Sequence, residues 1–67
     1  MKDVPIKAGD RFIKVHNPTT IWVVERPVSI VDMQPHFRLA EEARPGRKMT
    51  LSESALLDHT LHRRHSA

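Results

Sequence analysis

Four consecutive apolar residues, Ile21-Trp22-Val23-Val24, constrain the fold of this chain more than any other feature. In a strand, successive side chains point to opposite faces, so such a run presents large apolar groups on both. If Trp22 and Val24 fill a core, Ile21 and Val23 face away from it. A chain of 67 residues makes one domain at most and lies near the lower size limit for a single hydrophobic core. It has little material with which to cover a second apolar face.

There is no cysteine, so disulfides and thiolate metal sites are excluded as sources of stability. Small domains without such staples often gain burial by oligomerising. The start, MKDVPIKAGD, has no continuous apolar stretch of the signal-peptide kind, and no apolar run approaches the roughly 20 residues needed to span a bilayer. A soluble cytoplasmic protein is expected. The formal charge is +3, from 11 Lys+Arg against 8 Asp+Glu. The signs are interleaved, as in Glu25-Arg26 and Arg38 to Glu42, so the excess gives only slight support to an anionic partner.

Turn signals recur at short intervals: Ala8-Gly9-Asp10, His16-Asn17-Pro18, Met33-Gln34-Pro35 and Arg44-Pro45-Gly46. Runs rich in Val, Ile, Phe, Trp and Thr lie between them, a spacing that predicts a small sandwich or barrel. Arg11 to Val15 is the first expected strand, with Phe12 and Lys14 on one face and Arg11, Ile13 and Val15 on the other. Thr20 to about Val31 follows, as one strand kinked near Pro27 or two strands meeting there, because proline cannot donate to a ladder. His36 to Ala43 places Phe37 and Leu39 inward and Arg38 outward. A turn at Ala43 to Gly46 then leads into Arg47 to Leu51.

Beyond Leu51 the alternation stops. Thr50 and Glu53 have capping-box spacing, and Ser52 is a second candidate cap. A short helical turn is expected from about Ser52 to Asp58, with Leu56 or Leu57 plugging one end of the barrel. TLHRR is expected to return as a brief last strand with Leu61 inward, and residues 63–67 to form a disordered tail. No internal repeat or linker appears, so residues 1–67 are expected to form a single domain.

The segments AGDRFIKV, TIWVVER, PHFRLAEE and KMTLSESALLD together resemble a group of short, uncharacterised bacterial single-domain proteins, mostly from alphaproteobacteria. Their pattern is G-D-R-F (Gly9 to Phe12), W-V-V-E-R (Trp22 to Arg26), P-H-x-R-L (Pro35 to Leu39) and S-x-S-A-L-L-D (Ser52 to Asp58). The likeness covers nearly the whole chain. It departs at the end, where those proteins usually carry an aromatic and this chain has Leu61-His62. The resemblance implies an SH3-like small barrel and transfers no functional residues. The expected fold is therefore a mainly β, five-stranded SH3-like barrel with a short helical turn before the last strand.

Several constellations bear on function. His59, His62 and His65 could ligate zinc or copper as neutral imidazoles. Positions i and i+6 diverge around a helix, however, and Arg63 and Arg64 between them oppose a dication. A basic tail is the simpler account, and no metal or other cofactor is expected. Arg44, Arg47 and Lys48 surround one turn, Arg63 and Arg64 lie near the end, and Lys7, Arg11 and Lys14 add charge near the start. Small barrels bind nucleic acid by joining a basic groove to stacking aromatics. Here Phe12, Trp22 and Phe37, the only three aromatics, occupy strand positions that core packing explains. Salt-sensitive RNA binding is thus the alternative and not the leading expectation. No G-x-S-x-G elbow, Gly-rich phosphate loop or His-Glu-x-x-His occurs, and His36, Glu41 and Glu42 make no catalytic pattern. An enzyme is not expected.

The doubled apolar face remains. Ile21, Val23, Val28 and Ile30 are the candidates for an exposed apolar surface, and such surfaces mark interaction sites. The cheapest partner is a second copy, since a twofold interface is self-complementary. A homodimer is expected, with Pro27 or the Ala43 to Gly46 turn as a hinge if a strand is exchanged. The competing possibility is that the helix or Val4, Pro5 and Ile6 fold over the outer face.

Overall fold

The computed structural model describes residues 5–65. Within them lie β1 (Arg11–Lys14), β2 (Asn17–Val28), β3 (His36–Glu41), β4 (Lys48–Ser52), the helical turn α1 (Glu53–Leu57) and β5 (His62–Arg64). All strand pairings are antiparallel, in the order β4-β3-β2-β1-β5. The result is a small, mainly β barrel. Its two edge strands, β4 and β5, are joined through α1, which packs against both.

Alternation decides what goes inside. Phe12 stands opposite Trp22, Val24 opposite Leu39, and Phe37 opposite Leu51. Phe12, Trp22, Val24, Phe37 and Leu39 form the buried cluster together with Leu56 of α1. Ile6, Met49 and Leu51 pack against it. All three aromatics are thus consumed by the core. Ile6 joins the inside of the barrel instead of lying over the outer face of β2; Val4 falls outside the described residues.

The kink expected near Pro27 occurs two residues earlier, and β2 continues through it. Register runs from Val24 opposite Leu39 to Arg26 opposite Arg38, leaving Glu25 as an extra, bulged residue. A bulge reverses the side-chain parity of everything after it. Ile21 and Val23 face outward before it, and Arg26 and Val28 face outward after it. Pro27 is tolerated because its half of β2 pairs with β3 alone, β1 having ended its pairing at Arg11 opposite Val23.

The end of the chain decides one choice and corrects two expectations. Ser52, not Thr50, caps α1: its hydroxyl accepts from the Ala55 amide at 3.2 Å. Arg63 and Arg64 belong to β5, opposite Ile13 and Phe12, and the His65 amide donates to the Arg11 carbonyl at 2.8 Å. The expected tail is therefore ordered through His65, while Ser66 and Ala67 lie outside the described residues. Within this strand the phase is shifted by one from the expectation. His62 is buried and Leu61 is 43% exposed, because a hydrogen-bonded turn from Asp58 to Leu61 and His62 sets which residue enters the barrel.

Candidate functional site

The outer face of β2 is where a partner would sit, so what covers it matters. Val23 occupies a row across four strands, Arg11–Val23–Ala40–Lys48. At one end Arg11 Nε lies 2.7 Å from Glu42 Oε2. Near the other, Lys48 Nζ lies 2.6 Å from Glu25 Oε2. These ion-paired arms flank Val23 and Ala40, and charged side chains with long apolar stems cover apolar surface in this way. Glu25, Glu42 and Pro45 wall a hollow of about 250 Å³ whose floor includes Val23 and Ala40. Val23 is consequently half-buried and Ala40 buried. Ile21 pairs with Ile13 on the same outer face, and both are half-buried.

The four candidates for self-association therefore separate into two groups. Ile21 and Val23 lie before the bulge, between charged arms. Val28 and Ile30 lie after it, at the root of the loop joining β2 to β3. Among the described residues, three of the four exposed large hydrophobic side chains lie in that loop: Ile30 is 42% exposed, Val31 86% and Met33 57%. Its tip is a hydrogen-bonded turn, with the Met33 amide donating to the Ile30 carbonyl at 3.1 Å. Asp32 takes the left-handed conformation there, φ 61°, which aspartate tolerates better than a branched residue. Beside the tip, Pro27, Val28, Ile30, Met33, Pro35 and His36 line a hollow of about 240 Å³. Met33 is not a candidate on sequence, although SIVDM carries the signal: three large apolar residues inside a turn segment.

The five basic candidates for nucleic-acid contact do not form one free patch. Arg44 Nε lies 3.1 Å from Glu41 Oε2 and Arg47 Nη1 3.3 Å from Glu41 Oε1. This buried carboxylate thus holds both arginines of the β3–β4 turn. Lys48 is held by Glu25, and Arg64 Nη1 by Asp10 at 3.1 Å. Arg63 and Arg64 lie on β5, at the other end of the strand order from Lys48. Lys14 and Arg64 also stand over the rings of Trp22 and Phe12, at 5.7 and 5.2 Å from the centroids.

The three histidines near the end are not brought together as ligands. His62 is buried, with Nδ1 donating to the Ala55 carbonyl at 2.9 Å. His59 is exposed and His65 half-buried. Among the described residues no group of three or more His, Asp or Glu side chains is placed to hold a metal ion. No helix among them is long and apolar enough to cross a membrane.

No family model, curated protein or solved structure matches the chain.

Proposed function

We propose that this chain is a non-catalytic interaction module, an SH3-like small barrel of the cytoplasm that acts as a homodimer. The observation that carries this is the β2–β3 loop. Ile30, Val31 and Met33 lie exposed within four residues, beside a hollow lined by Pro27, Val28 and Pro35. Each such side chain contributes about 1.5–3 kcal/mol when fully buried. Such a patch of apolar side chains can meet the same patch on a second copy, as a twofold interface requires. Val28 and Ile30 are the contact residues in this reading, with Val31 and Met33 added; Ile21 and Val23 carry less of it because charged arms already flank them. Strand exchange would use the same loop as its hinge, since the Ile30–Met33 turn lies between the two strands and Pro27 lies near the end of β2. Salt-sensitive RNA binding through Arg44, Arg47, Lys48, Arg63 and Arg64 draws less support, because four of the five are engaged with Glu41, Glu25 or Asp10.

Solution mass by light scattering, across protein and salt concentrations, tests the proposal. A dimer that persists at high salt is expected, with Val31→Asp giving a folded monomer. A monomer at every concentration would sink the homodimer.

A further inference from the structure

Arg26 and Arg38 are direct cross-strand partners on the outer face of β2 and β3. Opposed positions in an antiparallel pair hold their Cβ atoms about 4.5–5.5 Å apart, and like charges there are destabilising. Most of the other cations are ion-paired: Arg11 with Glu42, Lys48 with Glu25, Arg64 with Asp10, and the turn arginines with Glu41. Among the described residues no carboxylate pairs with Arg26 or Arg38. Glu25, next to Arg26 in the chain, is turned to Lys48. In addition, Arg38 Nε is screened from solvent and has no hydrogen-bond partner.

The surroundings are those of an anion site. Arg26–Arg38 continues across the sheet to Thr50, and the next outward rung is Val28–His36–Ser52. These two rungs carry guanidiniums, hydroxyls and an imidazole, and no carboxylate. His36 Nδ1 lies 2.6 Å from the Gln34 carbonyl, which leaves Nε2 as the ring's other polar atom. The geometry points to a phosphate-binding site formed by Arg26 and Arg38, with Thr50 beside them. Two arginines at paired cross-strand positions suit a group bearing about 1.5–2 negative charges near neutral pH, and planar guanidinium forks bind phosphate oxygens bidentately. A carboxylate would balance only one of the two charges. The phosphate is therefore that of a small monoester, because a backbone phosphodiester carries a single charge and would balance no more than a carboxylate does.

NMR titration of the full chain, read at the arginine Nε–H signals and the Thr50 amide, tests the assignment. Inorganic phosphate is expected to shift Arg26, Arg38 and Thr50 when chloride at equal ionic strength does not. Arg26→Gln and Arg38→Gln should each weaken that response at least tenfold, whereas Arg44→Gln should leave it intact. Arg26→Gln should also melt no lower than the parent in chloride buffer, because it removes a like-charge contact. A nucleoside monophosphate binding as well as inorganic phosphate, or better, identifies a small monoester as the source. An unphosphorylated single-stranded oligonucleotide that shifts the same three residues more strongly would overturn the monoester assignment, since each of its phosphodiesters carries one charge. Shifts that survive Arg26→Gln and Arg38→Gln, or that spread evenly over Arg44, Arg47 and Arg63, overturn the site. The result is independent of dimerisation: Val31→Asp should respond to phosphate as the parent does.

Discussion

The His62 ring nitrogen Nδ1 lies 2.9 Å from the carbonyl oxygen of Ala55, a side-chain contact that ties the last strand to the helical turn. Ala55 sits beside Leu56, the one residue of α1 that enters the core. The hydrogen bond therefore helps hold the plug in place at the open side of the sheet, where β4 and β5 do not pair.

Removing that contact should be costly. His62→Ala removes a buried ring and its hydrogen bond to a carbonyl that keeps the Asp58 amide at 3.4 Å, a loss of about 0.5–3 kcal/mol. In a domain of this size each kcal/mol lowers the melting temperature by about 4–8 °C. Leu61→Ala, one residue earlier but exposed, should stay within about 0.5 kcal/mol of the parent. Thermal melts of both variants check the pair. Equal losses would mean that the phase of β5 is not as described.

Glu41 should show non-additive behaviour. Its carboxylate side chain is only 5% exposed, while Arg44 and Arg47, at 71% and 59%, approach it from solvent. Either arginine alone can satisfy it, so Arg44→Ala or Arg47→Ala should cost about 0.2–1 kcal/mol, as exposed ion pairs do. The double variant leaves a buried charge without a partner, and its loss should exceed the sum of the singles. Urea midpoints for the four proteins of the cycle measure the difference. A strictly additive result would show that water replaces both arginines.

Acid should act at Asp58. The Thr60 hydroxyl at 2.6 Å and then the Thr60 amide at 2.9 Å donate to its carboxylate, holding the group below its ordinary value of 3.8. A carboxyl that binds its proton less tightly when folded stabilises the fold above its unfolded value. That contribution fades as pH falls from about 3.8 through the lower folded value. Thr60→Val removes the larger of the two causes and keeps the amide bond, so the carboxyl should titrate closer to 3.8. A carboxyl-carbon NMR titration of both proteins reads this directly, and an unmoved titration would rule out the hydroxyl as the cause.

Much of the barrel is legible in local pattern. Phe12, Phe37 and Leu39 alternate with Arg11, Ile13 and Arg38, and that period of two already sorts inside from outside. The turn residues at Gly9, Asn17-Pro18 and Pro45-Gly46 mark the strand ends. Where two local signals competed, pattern alone could not choose. Thr50 and Ser52 both precede α1 at capping distance, and β4 decides between them by continuing through Thr50, opposite Arg38, to Ser52. Leu61 seemed the natural core residue of β5, yet the Asp58 turn sets the phase and places a histidine inside.

The sequence by itself determined the class of fold, the core made of its three aromatics, and the problem posed by Ile21-Trp22-Val23-Val24. Those follow from side-chain period and turn chemistry, which act over a few residues. Only the tertiary structure decided how that problem is met. Arg11 reaches Glu42 across 31 positions and Lys48 reaches Glu25 across 23, so the cover over Val23 comes from distant parts of the chain. The bulge at Glu25 likewise brings Arg26 against Arg38 and leaves Ile30, Val31 and Met33 at an uncovered tip. Strand register sets which side chains meet, and register is a property of the assembled sheet.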